Sequence, residues 1–139
     1  MGRKSQRKGA DGERELTAVF QAHGYDVIRG GSLSFGEVPD LMGLTGIHVE
    51  VKRTEKLNLR AAMEQAVRDA EFFKDGSPAV FHRANRRPWM VTMLLEDWLR
   101  MYQAGGDALC ATHGEYGAVH SLCMTKKTPF TVRGGASSK

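Results

Sequence analysis

Two carboxylates and a lysine lie at positions where an extended chain would bring them together. Pro39-Asp40 is followed, after nine residues, by Glu50-Val51-Lys52. Since alternate residues of a strand point to one face, Glu50 and Lys52 would project together while Val51 turns to the other side. Carboxylate oxygens bind Mg²⁺, which bridges to phosphate and lowers the pKa of a bound water. The lysine would orient that water and stabilise developing negative charge.

The segment between Asp40 and Glu50 is typical of a β-hairpin. The sequence predicts a short strand from Asp40, a tight turn at Thr45-Gly46, and a second strand over residues 47–53. Asp40 lies five residues before Thr45 and Glu50 four residues after Gly46, so the two carboxylates are predicted neighbours across the ladder. A lone Glu-x-Lys is most often an exposed ion pair, but the preceding Pro-Asp and the strand patterning favour a site.

The elements that must position these residues follow from hydrophobic periodicity and from glycine and proline punctuation. Helices are predicted over residues 10–23, 59–74 and 96–103, and strands over 25–29, 40–44, 47–53, 78–82 and 89–94. A strand–helix–strand crossover in the middle predicts an α/β fold, with a mixed β-sheet of about five strands flanked by helices. We expect a flexible basic arm at 1–9, a domain at 10–104, and an extension of uncertain structure at 105–139.

Composition is compatible with one compact domain and a polyanionic partner. The 139 residues are 41% hydrophobic, and the net charge is +4 with a pI near 9.3. The cations cluster, which favours a nucleic-acid-binding face over a merely solvated surface. No apolar run approaches the roughly 18 residues that span a bilayer, and the N-terminus lacks the apolar centre of a signal peptide. A cytoplasmic protein with free thiols is expected.

Several blocks in a fixed order carry a resemblance to a known family. Pro39-Asp40 with Glu50-Val51-Lys52 looks like the motif of the PD-(D/E)xK nuclease superfamily. The blocks RKGADGEREL, YDVIRGGS, PDL, HVEVKRT and GSPAVFH together resemble archaeal-type Holliday junction resolvases and their phage relatives. The similarity covers roughly residues 7–94.

The resemblance implies a restriction-endonuclease-like core, a homodimer, and cleavage of four-way DNA junctions that depends on Mg²⁺, for which Mn²⁺ would substitute. It implies that Glu13, Asp40 and Glu50 hold the metal and that Lys52 completes the catalytic set. It also matches Arg29 to a functional arginine of the family. No small-molecule cofactor and no membrane partner are expected.

Glu13 is the acidic residue whose role depends most on the resemblance. From position alone it is an acid in the first turn of a helix, where carboxylates favour the helix dipole. Glu15 is the competing candidate, two positions along and about 200° around the helix. Glu37, just before Pro39-Asp40, is a further possible ligand.

Branched double-stranded DNA is the expected partner, held through its phosphates. Such contacts position DNA without reading its sequence, which agrees with recognition of shape, and they weaken steeply with salt. The loop serine of the family is matched to Ser32, with Ser34 nearly as good, because LSFGEV lengthens this loop. The predicted DNA-binding residues are Arg3, Lys4, Arg7, Lys8, Arg14, Arg29, Ser32 and Arg53.

The C-terminal segment holds a second pattern, Cys110-x2-His113 and His120-x2-Cys123. Two cysteines and two histidines could bind zinc, although the six-residue gap favours incidental side chains. Trp89 is expected in core or dimer-interface packing rather than in base stacking. The rival functions are another PD-(D/E)xK DNase, restriction-like or flap-cutting, and a non-catalytic DNA-binding module.

Overall fold

A computed structural model describes the backbone of residues 2–32 and 37–112, and the side chains of residues 9–31 and 37–105. A short 3-10 turn at Gly30–Ser32 follows the first strand. The elements in chain order are α1 (Gly2–Ala22), β1 (Ile28–Arg29), β2 (Leu41–Met42), β3 (Gly46–Arg53), α2 (Leu59–Phe73), β4 (Gly76–Arg83), β5 (Met90–Met93) and α3 (Leu95–Thr112). The predicted order of helices and strands is confirmed.

The five strands form one mixed sheet in the order β1-β2-β3-β4-β5. β3 and β4 run parallel and are joined by α2, while the other neighbours are antiparallel. The parallel pair is the predicted crossover, since parallel strands need a long connection such as a helix. The predicted α/β class, with a mixed five-stranded sheet flanked by helices, is therefore confirmed.

The alternation of β3 separates an apolar face from a polar one. Val49 and Val51 are buried against Leu16 of α1 in the larger core cluster, which also includes Phe81 of β4. The opposite face of the sheet is covered by α2, whose Ala66 is fully buried. The apolar side of β3 thus anchors the strand, and its polar side faces α2.

Local signals determine where α2 begins and ends. The Asn58 side chain accepts a hydrogen bond from Ala61 N at 3.1 Å, which confirms the predicted N-cap. Lys74 closes the helix in the left-handed conformation, with φ of 53°. Small residues face the sheet between these ends, and the buried ones are Ala62, Ala66 and Ala70.

Two predicted helix boundaries are wrong. α1 begins at Gly2, so residues 2–9, expected to be a flexible arm, are helical. Arginine, lysine and glutamine are good helix formers, and one glycine costs only about 1 kcal/mol. α3 likewise continues through Gly105 to Thr112 instead of stopping there, because a glycine permits a left-handed end without requiring one.

The chain divides into two compact units, Met1–Trp98 and Leu99–Lys139. The first holds the sheet, α1, α2 and the first turn of α3, where buried Asp97 accepts a hydrogen bond from Ser77 Oγ at 3.2 Å. The described part of the second is the remainder of α3. The proposed domain limits of 10–104 and 105–139 stay a prediction. Within the described residues, none of the helices is long and apolar enough to cross a membrane.

Gly76 is required where the two parallel strands start. Its φ is +146°, and a Cβ built there would lie 2.2 Å from the carbonyl carbon of Gly46. Backbone cannot give way as a flexible side chain does, so we expect Gly76→Ala to lower the free energy of unfolding by at least about 3 kcal/mol. Urea denaturation measures this loss.

Gly24 offers the matched control, because its φ is +85° and a Cβ there meets nothing within 4 Å. Gly24→Ala should lower the free energy of unfolding by only about 1 kcal/mol, the backbone term alone. Equal losses at both positions would show that the close approach to Gly46 does not matter.

Candidate active site

Asp40 and Glu50 are brought together by the pairing of β2 with β3. Leu41 of β2 is paired with Val49 of β3, so the next position outward sets Asp40 opposite Glu50, as the hairpin count predicted. The Asp40 carboxylate accepts a hydrogen bond from Val51 N at 2.8 Å. This bond joins the chain before β2 directly to the strand that carries Glu50.

The Asp40 carboxyl is perturbed by its surroundings. Its pKa is raised to about 6, first by desolvation on burial and next by the negative charge of Glu50. The charge of Glu13 raises it further, whereas the Val51 amide and the Lys52 ammonium lower it. A shifted carboxyl in a cleft is a common property of catalytic and ligand sites. Around Asp40, the negative charges of Glu50 and Glu13 outweigh the positive charge of Lys52.

Lys52 is fixed by partners on two elements. Its Nζ lies 2.5 Å from Glu50 Oε1 on the same strand and donates a hydrogen bond to Gln65 Oε1 on α2 at 3.0 Å. Gln65 in turn donates to Asp69 Oδ2 at 3.4 Å. Glu50 is only 4% exposed, so its charge is compensated within the protein. Gln65 was missed in the sequence, since its helix position alone gives no sign of a contact with Lys52.

Glu13 on α1 faces Arg29 rather than a free space. Arg29 Nη2 and Nε donate to Glu13 Oε2 at 3.0 and 3.2 Å, with both side chains about one-fifth to one-quarter exposed. Thr17 bonds the Glu13 backbone carbonyl at 2.7 Å. The structure thus places Glu13 close enough to Asp40 for its negative charge to raise the pKa of Asp40. Arg29, the arginine matched to the family, is paired with Glu13.

Glu15, the competing acid, points elsewhere. It pairs with Arg83, accepts from Trp89 Nε1 at 3.2 Å, and lies 3.7 Å from Arg53 Nε. Arg83 also stands over the Trp89 ring at 5.7 Å. These contacts fasten α1 to the sheet, so Glu15 has a structural task. Trp89 packs against the core cluster, as expected.

The predicted DNA-binding side chains differ in how available they are. Arg14 is well exposed and pairs with Asp11 at 2.5 Å, whereas Arg53 is one-quarter exposed and faces Glu15. The side chains of Arg3, Lys4, Arg7, Lys8 and Ser32 lie outside the described part, although their backbone is on α1 or the 3-10 turn. Of the possible zinc pattern, only Cys110 lies in the described backbone, as part of α3. His113, His120 and Cys123 lie outside the described residues.

A cleft of about 580 Å³ opens between the sheet and α2. Asp40 and Glu50 lie on one wall and Asp69 on the other, with exposed Phe72 at its side. Glu37, the further possible ligand, also lines it. The remaining lining residues are Val38, Pro39, His48, Gln65, Arg68 and Phe73.

The residues that could hold an ion only partly match those predicted. Among the side chains that the structure describes, one group of three histidine, cysteine or acidic residues has its ligand atoms within 4.8 Å of one another: His48, Glu50 and Asp69. Glu50 is common to this group and to the predicted set. Strand alternation could have placed His48 beside Glu50, whereas the part played by Asp69 requires the packing of α2.

The family of the chain follows from comparison with known protein families. No curated protein matches the chain. One solved structure similar to it is Archaeoglobus fulgidus Hjc, a Holliday junction resolvase from an archaeal hyperthermophile, at 27% identity and a TM-score of 0.46 over 62% of this chain and 72% of that one. The model of the archaeal Holliday junction resolvase (Hjc) family matches residues 4–106. Because this match spans most of the chain and includes every residue of the cleft, the protein belongs to the archaeal Holliday junction resolvase family, whose members are nucleases.

Proposed function

We propose that the protein is a Mg²⁺-dependent endonuclease that resolves four-way DNA junctions as a homodimer. The observation that carries the proposal is the meeting of Asp40 and Glu50 in one cleft, with the Lys52 ammonium 2.5 Å from Glu50. Their chemistry suits hydrolysis of a phosphodiester, and the family supplies the substrate. A non-catalytic DNA-binding module would gain nothing from two carboxylates facing phosphate.

The donor set suits Mg²⁺. Asp40 and Glu50 offer oxygen ligands on neighbouring strands, and Glu13 adds negative charge close by. Lys52 is the cation that faces Glu50, and it leaves the pKa of Asp40 raised to about 6. A divalent cation between these carboxylates would compensate the excess charge, with its remaining positions left for water and phosphate.

Each residue then has a separate task in cleavage. Asp40, Glu50 and Glu13 would hold Mg²⁺, which supplies Lewis acidity and a more acidic bound water. Lys52, kept in place by Gln65, orients the attacking water and stabilises negative charge on the phosphate. Arg29 steadies Glu13 and reaches a phosphate when DNA is bound. The cations of α1, among them the exposed Arg14, contact the DNA backbone.

Removal of either central group should abolish cutting. Asp40→Asn and Lys52→Ala are each expected to slow cleavage of a synthetic four-way junction at least about 100-fold. The first removes the charge of a metal ligand, and the second removes the cation that stabilises negative charge in the transition state. Asp26→Asn is the matched control, since Asp26 is exposed and outside the cleft. Rates are measured on a labelled junction with Mg²⁺ and with EDTA.

The same assay decides between substrates. The proposal expects the junction to be cut in preference to a matched linear duplex and a flap. Equal cutting of the linear duplex would favour a restriction-like DNase, and preference for the flap a flap nuclease. Retained cleavage by Asp40→Asn would reject the assigned site.

The raised pKa of Asp40 gives a stability prediction with a definite sign. In the unfolded chain this carboxyl has its ordinary pKa of 3.8, whereas in the folded protein its pKa is about 6. Its cost to stability is absent below pH 3.8, grows as the pH rises, and is complete above pH 6. Asp40→Asn should therefore raise the free energy of unfolding of metal-free protein by about 3 kcal/mol at pH 8 and by little at pH 4.

Urea denaturation with EDTA at the two pH values measures this difference, and Asp26→Asn again serves as control. A stabilisation of equal size at pH 4 and pH 8 would show that an effect other than carboxyl ionisation is responsible. The comparison needs no DNA, so it tests the electrostatics of the cleft separately from its activity.

The homodimer has support in exposed apolar residues on the edge strand. Met90 and Val91 of β5 are 53% and 55% exposed, and an open strand edge of this kind is suited to pairing with another chain. Val91→Lys is expected to weaken the dimer at least about tenfold, as the loss of one buried apolar contact would. Ile28→Lys, on the opposite edge strand β1, is the control.

Sedimentation of both variants and of wild type, with and without a junction, checks this prediction. The expected wild-type species is a dimer. A stable monomer bound to the junction would count against paired incision, although it would leave the metal site intact.

A further inference from the structure

His48 lies at the bottom of the cleft and one of its nitrogens is unused. The side chain is 1% exposed, and Nδ1 is 2.9 Å from both carboxylate oxygens of Asp75. Among the residues that the structure describes, none hydrogen-bonds Nε2, which is also buried. A buried polar atom without a partner costs about 1–3 kcal/mol. Nε2 is therefore available to a group that the protein chain itself does not supply.

Two carboxylates stand beside this histidine. Its ring and the oxygens of Glu50 and Asp69 lie within 4.8 Å of one another. Ligands of one ion with bonds of about 2.1 Å are at most about 4.2 Å apart, so a small rotation closes the group. Asp69 can make that rotation, because its contact with Gln65 is long, at 3.4 Å. Glu50 meets Lys52 through Oε1, which leaves Oε2 for an ion.

We propose that His48 Nε2, Glu50 and Asp69 form a second metal position in the cleft, which binds a transition-metal divalent cation in preference to Mg²⁺ and for which Mn²⁺ serves as the spectroscopic probe. Imidazole nitrogen is a good ligand for such ions, whereas Mg²⁺ is bound mainly by oxygen. The position shares Glu50 with the carboxylate pair at Asp40. Two ions bridged by one carboxylate are a common arrangement in nucleases and phosphatases.

The surroundings of His48 are those of a metal ligand held in place. Asp75 bonds Nδ1, which leaves Nε2 as the nitrogen that can coordinate an ion, and histidines that bind metals almost always have such a partner. The Phe73 ring lies 6.0 Å from the imidazole at an interplanar angle of 14°, so the two rings are stacked. Asp75 is thus a positioning residue.

A purely structural ion pair is the alternative reading of His48 and Asp75. Such a pair explains Nδ1 and the burial of the ring. It does not explain why Nε2 is left without a partner, nor why two further carboxylates stand beside the ring. The two readings differ in one measurable property, which is nitrogen coordination to a bound ion.

Pulsed electron paramagnetic resonance of bound Mn²⁺ tests the proposal, because it detects ¹⁴N coupling from a coordinated imidazole. Wild-type protein with one equivalent of Mn²⁺, and Mg²⁺ present, should show this coupling. Asp69→Asn should remove it and weaken Mn²⁺ binding, and Asp75→Asn should weaken binding by about 10- to 100-fold. Glu71→Gln, an exposed acid on the same helix, is the control and should leave both unchanged.

His48→Gln should abolish the coupling as well, and circular dichroism shows whether this buried substitution folds. If His48→Gln does not fold, wild type and Asp69→Asn decide the matter. A ¹⁴N coupling that came from a histidine other than His48 would persist in Asp69→Asn. Absence of ¹⁴N coupling in wild type, or wild-type binding by Asp69→Asn, would overturn the proposal. The test measures binding without DNA, so failure to cut a junction would not affect it.

Discussion

Repulsion between Asp40 and Glu50 is the constraint around which the site is arranged. Two acids opposite each other in a partly buried ladder would separate unless something held them. The Val51 amide holds Asp40, and the Lys52 ammonium holds Glu50. The pKa of Asp40 nevertheless stays raised to about 6. The fold therefore keeps an electrostatic imbalance in its cleft, of the kind that a cation removes.

The contacts that hold this arrangement in place lie on both faces of the sheet. On the α1 side, Glu13 and Glu15 point in different directions, one to Arg29 near the cleft and one to Arg83 beneath the helix. The first contact contributes charge to the site, and the second fastens the helix. On the α2 side the contacts are polar and pass through Gln65. The α2 face of β3 thus carries the Glu50–Lys52–Gln65 contacts, whereas α1 supplies both an anchoring contact and the charge of Glu13.

Local patterns in the sequence were enough to predict β3, the hairpin count and the Asn58 cap, because each depends on neighbouring residues. The long helices were predicted too short, since Gly9 and Gly105 allow a break without imposing one. The partners of His48 lie far along the chain, and only the packing of α2 brings them together. Sequence alone therefore predicted that Asp40 lies opposite Glu50, but it did not predict the opposite wall of their cleft.

The row of small residues on α2 has a consequence for how such a cleft can change. Ala62, Ala66 and Ala70 carry no polar side-chain atom, yet their size determines how closely the helix approaches the sheet. That distance also decides whether Gln65 and Asp69 reach Lys52 and Glu50. The width of the cleft therefore depends on these three methyl groups, and a bulkier side chain at one of them would widen the gap without replacing any acid or base of the site.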